Sequence, residues 1–341
     1  MTMKRLWLKR QRASVKRSKG EEAMRRIAIL MSAIIASTVA GMAADLKCSR
    51  IRLVVPYAAG GATDAASRLT QEGLEAALQV PVVIETRAGA TGNIGTAYVA
   101  QSPGDGCTLV VNGAVIATFP DSFTKLAYDP LKDLVAVGGL GVTPTVVVTA
   151  NKEINSIKDL IGWSQKKPEG LSYGSAGYGL LQHLAIEELA DKKKAKLVHV
   201  PYRGGGDANT DLMTGRLDFG SFAAGSVVSL TDDGRVRIIG VVQPKRSDLI
   251  PNVPSFAEQG YPDINAGVYF MIFAPSSTPK ETVETLSAAL MRVVGDPALK
   301  KRFASIGFDP TPISSEVANE IVRKTGAEWR PVIKRLGVKL D

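Results

Sequence analysis

Short β-branched runs that alternate with amphipathic stretches constrain this chain more than any other feature. IRLVVP (residues 51–56), PVVIE (81–85) and TLVVN (108–112) read as strands. Between them, residues 63–78 set Ala66, Leu69, Leu74, Ala77 and Leu78 along one helical face, with Arg68, Gln71, Glu72 and Glu75 elsewhere. Residues 93–101 form a shorter helix. A strand buries every second side chain and a helix roughly every 3.6th, so the two periods cannot be exchanged. Strand followed by helix, repeated, predicts a parallel sheet flanked by helices.

A second unit of the same kind follows. TVVVT (145–149), LSYG (171–174), LVHVP (197–201) and VRIIGVV (236–242) read as strands. Helices are expected from SIKDLI (156–161), with Ser156 as N-cap and Asp159 in the capping-box position, over 180–190, and from YRGGG (202–206) to Thr214. Residues 267–273 form one more strand. Helices over 279–294, with Pro279 in the first turn, 296–306 and 315–336 end the chain. A length of 341 residues suits two domains. No Pro/Gly-rich linker separates the units, so short crossings are expected to join them.

The net charge of +9 does not belong to this body. Of 42 Lys+Arg and 33 Asp+Glu, ten and two fall in residues 1–44, leaving 32 and 31 for the rest. A basic nucleic-acid face is therefore not expected. MRRIAILMSAIIASTVAGMAAD (24–45) has a positive start, an apolar stretch of 14 residues (27–40) and small residues at Ala43 and Ala44. It reads as a secretory signal peptide cut after Ala43 or Ala44, with the true start at Met1 or Met24. The alternative is an uncleaved anchor, for which the stretch is short, since about 20 residues span a bilayer. Export would place the chain in the periplasm, an oxidising compartment. Cys48 and Cys107 each precede a strand. If those strands are parallel neighbours the cysteines share one sheet end and can form a disulfide; otherwise they are two free thiols.

Glycines cluster where strands hand over to helices. VPYAAGGATD (55–64) ends a strand, turns through two glycines and starts a helix. Unpaired N–H groups and a partial positive charge at a helix start favour an anion, and glycine lets the backbone approach it. GSAGYG (174–179) repeats the arrangement and adds the Ser175 hydroxyl. AGATGNIG (88–95) and RGGG (203–206) are further loops of this kind. The first two are expected to face one another as jaws.

Two enzyme readings are weaker. Gly89, Gly92 and Gly95 do not follow G-x-G-x-x-G, Gly177 and Gly179 lack their third glycine because Gln182 stands there, and no Gly-Lys-Ser/Thr occurs. A serine hydrolase elbow would need glycine at Tyr173, two residues before Ser175. His183 and His199 are the only imidazoles, and each reads as a packed or hydrogen-bonded structural residue. No His/Cys/Asp spacing suits zinc, and no cofactor is expected.

In this order, IRLVVPYAAGGATD (51–64), VVIETRAGATGNIG (82–95), LSYGSAG (171–177), HVPYRGG (199–205) and LIPNVPSFAEQG (249–260), with a weaker APSSTP (274–279), resemble the periplasmic solute receptors of tripartite tricarboxylate transporters, the Bug family. The resemblance spans about residues 45–341. It implies a bilobed periplasmic binding-protein fold of type II-like kind, with two Rossmann-like α/β domains around a ligand cleft. One lobe would comprise residues 45–143 plus 266–341, the other 144–265. It also implies a monomer that delivers a small organic carboxylate to integral-membrane transporter subunits, without catalysis.

Carried onto this chain, the carboxylate would be gripped by Tyr57, Ala59, Gly60, Gly61, Ala62 and Thr63 on one side. Ser175, Ala176, Gly177 and Gly179 would act on the other, with Asn93 and residues Tyr202 and Gly204 as further lining. The chain departs from the family pattern in GYGL (177–180), where Tyr178 adds an aromatic wall and Leu180 replaces a small polar donor. Phe222 ends GRLDFGSF where relatives often carry an acid, and Phe270 stands where they often carry Trp. A monocarboxylate with an apolar or aromatic body is therefore expected over a tricarboxylate. An amino acid, or a sensor role without a permease, is the alternative of the same fold; a secreted hydrolase using Ser175 is the remote one.

Overall fold

The computed structural model describes residues 46, 48–231 and 234–340; the leader expected over residues 1–44 lies outside them. Ten strands, numbered along the chain, form two five-stranded sheets among the described residues. β1 (Ile51–Val55), β2 (Val82–Thr86), β3 (Thr108–Gly113), β4 (Leu134–Thr143) and β10 (Val268–Pro275) make the first, in the order β2-β1-β3-β10-β4. The second, β7-β6-β8-β5-β9, is built from β5 (Thr145–Thr149), β6 (Leu171–Ser175), β7 (Leu197–Pro201), β8 (Phe219–Ala223) and β9 (Arg237–Val241).

Both sheets are mixed, which corrects the wholly parallel sheet expected from alternation. β1 pairs parallel with β2 and β3, but β10 runs antiparallel between β3 and β4. β6 pairs parallel with β7 and β8, while β5 runs antiparallel between β8 and β9. Each antiparallel strand is the one that arrives from the other unit rather than through a strand-helix-strand crossover. The strands β4 and β8 were not anticipated. β4 (LVAVGGLGVT) is interrupted by glycines that read as loop, and is held in place by the antiparallel bridge from Gly139 to Ile313.

Helices cover the sheets: α1 (Ala62–Leu78), α2 (Asn93–Ala100), the short α3 (Phe119–Ser122), α4 (Ile157–Lys166), α5 (Leu181–Lys193), α6 (Gly205–Met213), α7 (Lys280–Gly295), α8 (Pro297–Ser305) and α9 (Ser315–Leu336). The anticipated face of α1 packs inward. Ala66 and Leu74 are buried with Ile51, Leu53, Val293 and Phe303, and Leu69, Ala77 and Leu78 lie half-buried at the margin. Burying one such leucine contributes roughly 2 kcal/mol. Ser156 caps α4, its hydroxyl accepting from Asp159 N–H, as the capping pattern predicts.

Two crossings join the sheets. Pro144 alone separates β4 from β5, and residues 242–267 lead from β9 to β10. They are bound to each other: Val242 N–H donates to Thr145 O (2.8 Å), Ala266 N–H to Val242 O (2.9 Å), and the Thr145 hydroxyl to Ala266 O. Cys48 and Cys107 are joined by a disulfide, with Cα atoms 5.6 Å apart. The parallel pairing of β1 with β3 brings their leading ends together, as the bonded alternative required.

Candidate functional site

The site grows from the end of β1. Tyr57 turns its hydroxyl to Asn112 Oδ1 (2.9 Å), and Asn112 in turn donates to Thr96 Oγ1 (2.8 Å) and accepts from Gly113 N–H (2.7 Å). Burial raises the phenol pKa well above its ordinary value, against the lowering effect of the Asn112 bond, so Tyr57 stays a neutral donor. Downstream, Gly60 N–H donates to Asp64 Oδ2 (3.1 Å), and Arg68 pairs with that carboxylate at 3.1 Å. The glycine turn is thus folded back onto the first turn of α1.

This loop packs on RGGG and shares a cavity with Ala176 of GSAGYG. Ala58 N–H donates to Arg203 O (3.1 Å), and Ala62 N–H donates to the Ser226 hydroxyl (3.1 Å). Gly206 packs so closely that a Cβ there would lie 2.7 Å from Ala59 O. GSAGYG instead meets the third glycine loop, where a Cβ on Gly177 would lie 3.0 Å from the Thr91 methyl. Each of the two expected jaws packs on a further glycine loop, and both contribute to one cavity.

Between the loops lies a cavity of about 30 Å³, lined by Tyr57, Gly61, Ala62, Thr63, Gly113, Val115, Ala176, Leu180, Gln182, Gly204, Gly205, Ala223, Ser226, Val268 and Phe270. That space admits about one water, so a larger guest requires the loops to part. Among the described residues, no carboxylate, ammonium, guanidinium or imidazole lines it. The N-termini of α1, α5 and α6 all reach it, through Gly61 to Thr63, Leu180 to Gln182 and Gly204 to Gly205. None of the three carries a side-chain cap at its own N-cap residue, whereas α4, α8 and α9 do. Helix dipoles, and first-turn amides other than the Ala62 N–H that Ser226 takes, thus supply positive potential where no cation stands.

The anticipated residues divide. Tyr57, Gly61, Ala62, Thr63, Ala176, Gly204 and Phe270 line the cavity. Ala59 and Gly60 are exposed beside Gly206. Asn93 stands at the start of α2 with its Oδ1 buried and unpaired. Tyr202 donates to Asp211 Oδ2 (2.7 Å) and packs against the apolar cluster of Leu212, Leu217 and Phe222. Phe222 is fully buried beside Gly174 and Gly205, because adjacent residues of β8 point to opposite faces and Ala223 takes the cavity side. Val115, Gln182 and Ser226 line the cavity without any motif that marks them.

Ser175, Gly177, Tyr178 and Gly179 lie behind the lining, in an aromatic stack. Ring centroids separate Tyr178 from His183 by 4.4 Å, His183 from His199 by 4.1 Å, and His199 from Tyr173 by 4.8 Å. Ser175 Oγ lies 2.7 Å from His199 Nε2 and accepts from Gly177 N–H (3.2 Å), while Gly179 N–H donates to His183 Nδ1 (3.1 Å). Burial and the neighbouring His199 push the His183 pKa down to about 2, and burial alone pushes His199 down to about 4. Both imidazoles are neutral and fasten the loop. The Ser175–His199 contact has a hydrolase-like length, yet Ser175 is fully buried and His199 Nδ1 has no partner to orient it. Among the described residues, no group of three His, Cys, Asp or Glu is placed to hold a metal ion.

Two mixed α/β sheets, joined by two crossings and enclosing a cavity at helix N-termini, define the fold of a periplasmic binding protein. The chain belongs to the family of tripartite tricarboxylate transporter receptors, whose profile matches residues 66–338. A protein of Agrobacterium vitis from the TAR-I ttuE-ttuC' intergenic region is 32% identical over 295 residues, covering 86% of this chain and 85% of that one. A solved structure described as a periplasmic transporter is 31% identical with a TM-score of 0.81, covering 86% of this chain and 98% of the other. R. palustris Rpa4515, solved with adipate, is 29% identical with a TM-score of 0.81, covering 85% and 98%. The resemblance carried by the glycine loops and the α/β fold expected from alternation are both borne out.

Proposed function

We propose that this protein is an extracytoplasmic receptor that captures an organic acid anion between two lobes and delivers it to the membrane subunits of a tripartite tricarboxylate-type transporter. The lobes are residues 45–143 with 266–341, and 144–265, moving about the Pro144 and 242–267 crossings. The protein acts in the periplasm as a monomer, after loss of the leader, and binds without turnover. One observation carries this reading: three helix N-termini, none capped by the side chain of its own N-cap residue, meet on a cavity that no charged side chain lines among the described residues. A single carboxylate satisfies those amides as a ligand, and its affinity for the closed arrangement draws the lobes together. Membership of the receptor family and the adipate held by the R. palustris relative support the ligand class.

The apolar part of the lining, Val115, Leu180, Val268 and Phe270, favours a body without further charge. The ligand is then a monocarboxylate with an apolar or aromatic body. A thermal-shift series of carboxylates, sugars and amines tests both statements. A carboxylate at about 100 times its Kd should stabilise the protein by about 2.7 kcal/mol. If only uncharged or cationic solutes raise the melting temperature, the receptor reading fails. Tight citrate binding with no response to aromatic acids would remove the monocarboxylate reading alone.

A further inference from the structure

Gln182 stands in the first turn of α5 and is only 5% exposed, yet it lines the cavity. Its backbone is fixed, with the carbonyl accepting from the Ser221 hydroxyl at 2.9 Å. Its side-chain carboxamide has no hydrogen-bond partner among the described residues, although such a group offers two donors and two acceptor sites. The carboxamide faces the cavity rather than the packed interior, so an occupant that seals it from solvent must supply its partners, since a buried amide left unpaired is costly. Ser226, by contrast, already accepts from Ala62 N–H.

We infer that Gln182 reads a second, uncharged polar group on the ligand, so that the preferred substrate class is an organic acid with one carboxylate and one amide or hydroxyl. This rests on the carboxylate-receptor reading above. An amide answers both the donor and the acceptor of Gln182. A second carboxylate accepts only, leaving the Gln182 oxygen bare, and adds a charge that no cation in the lining offsets. A plain hydrocarbon end leaves both groups unpaired. Within the one-carboxylate class proposed above, the ranking is therefore amide first, hydroxyl next, then the simple acid, with the dicarboxylate last.

Isothermal titration of the mature chain with succinamate, glutaramate and adipamate, each against the matching dicarboxylate and the matching simple acid, tests this. At the length that binds best, the monoamide should bind about tenfold tighter than either counterpart. In Gln182→Met and Gln182→Leu that preference should fall to within about threefold, in variants whose cooperative melting shows that they fold. A dicarboxylate or simple acid that binds the wild type as tightly as the monoamide overturns the inference and leaves the receptor reading standing. So does a monoamide preference that survives both substitutions. Failure of every acid to bind the wild type overturns both.

Discussion

The hydroxyl of Ser226 accepts a hydrogen bond of 3.1 Å from the backbone N–H of Ala62, tying the segment after β8 to the first residue of α1. That amide is one of the four that a helix leaves unpaired at its start. It is also one that a ligand carboxylate would need.

Ser226→Ala should therefore destabilise the protein by about 1 kcal/mol, seen as a melting temperature lower by about 2 °C. The deficit should shrink when a saturating carboxylate takes over the Ala62 amide. A deficit that stays constant in calorimetric scans with and without ligand would show that the two do not compete for this amide.

Gly206→Ala tests closure. The new Cβ would lie 2.7 Å from Ala59 O and 3.0 Å from Gly60 C, both backbone atoms that cannot rotate away. The loops should be held apart, and carboxylate affinity should fall about tenfold or more, because binding is linked to the closed arrangement. Melting without added ligand should change little. Unaltered affinity by titration calorimetry would place closure elsewhere.

His183 and His199 give the stability a pH dependence. Their folded pKa values, about 2 and about 4, lie below the ordinary imidazole value of 6.5. The unfolded chain thus binds their protons first, and the stability they contribute is complete above pH 6.5. It falls with pH by about 1.4 kcal/mol per unit for each histidine, until each folded group itself protonates. Chemical denaturation between pH 7.5 and 5 should show this slope, and the variant His183→Gln/His199→Gln should flatten it. An equal slope in both proteins would assign it to other groups.

The Cys48–Cys107 disulfide closes a loop with a sequence separation of 59 residues. The chain-entropy relation gives about 4 kcal/mol for such a loop, and measured values commonly fall between about 2 and 4. Cys48→Ala/Cys107→Ala should lose stability in that range in urea titrations, with ligand affinity preserved, because neither cysteine lines the cavity. A loss below about 1 kcal/mol would mean that the unfolded chain gains little freedom without the bond.

Phe222 and Ala223 show how little separates a legible residue from a misplaced one. The sequence marks β8 as a place of interest, but which of two neighbours faces the cavity depends on register, and one position of slip exchanges the faces. Phe222 was expected in the lining and lies in the core. In the sequence Gln182 stands out only as the residue that breaks a nucleotide motif, yet it lines the cavity. Ser226 belongs to no motif at all. Its place follows from Ala62 approaching it across 164 positions of sequence.

Local chemistry is written in the chain. Hydrophobic period separates strands from helices, Ser156 marks a helix start, and glycines mark the turns where backbone amides face outward, because each depends on neighbours a few residues away. The sequence by itself therefore determined the α/β class, the receptor family and the glycine loops of the cleft. Only the tertiary structure decided that β5 and β10 run antiparallel, that AGGAT meets RGGG while GSAGYG meets Thr91, and that an uncharged cavity forms among three helix starts. Those outcomes depend on contacts between residues far apart in sequence, fixed by how two sheets and their crossings pack, and no local pattern carries that information.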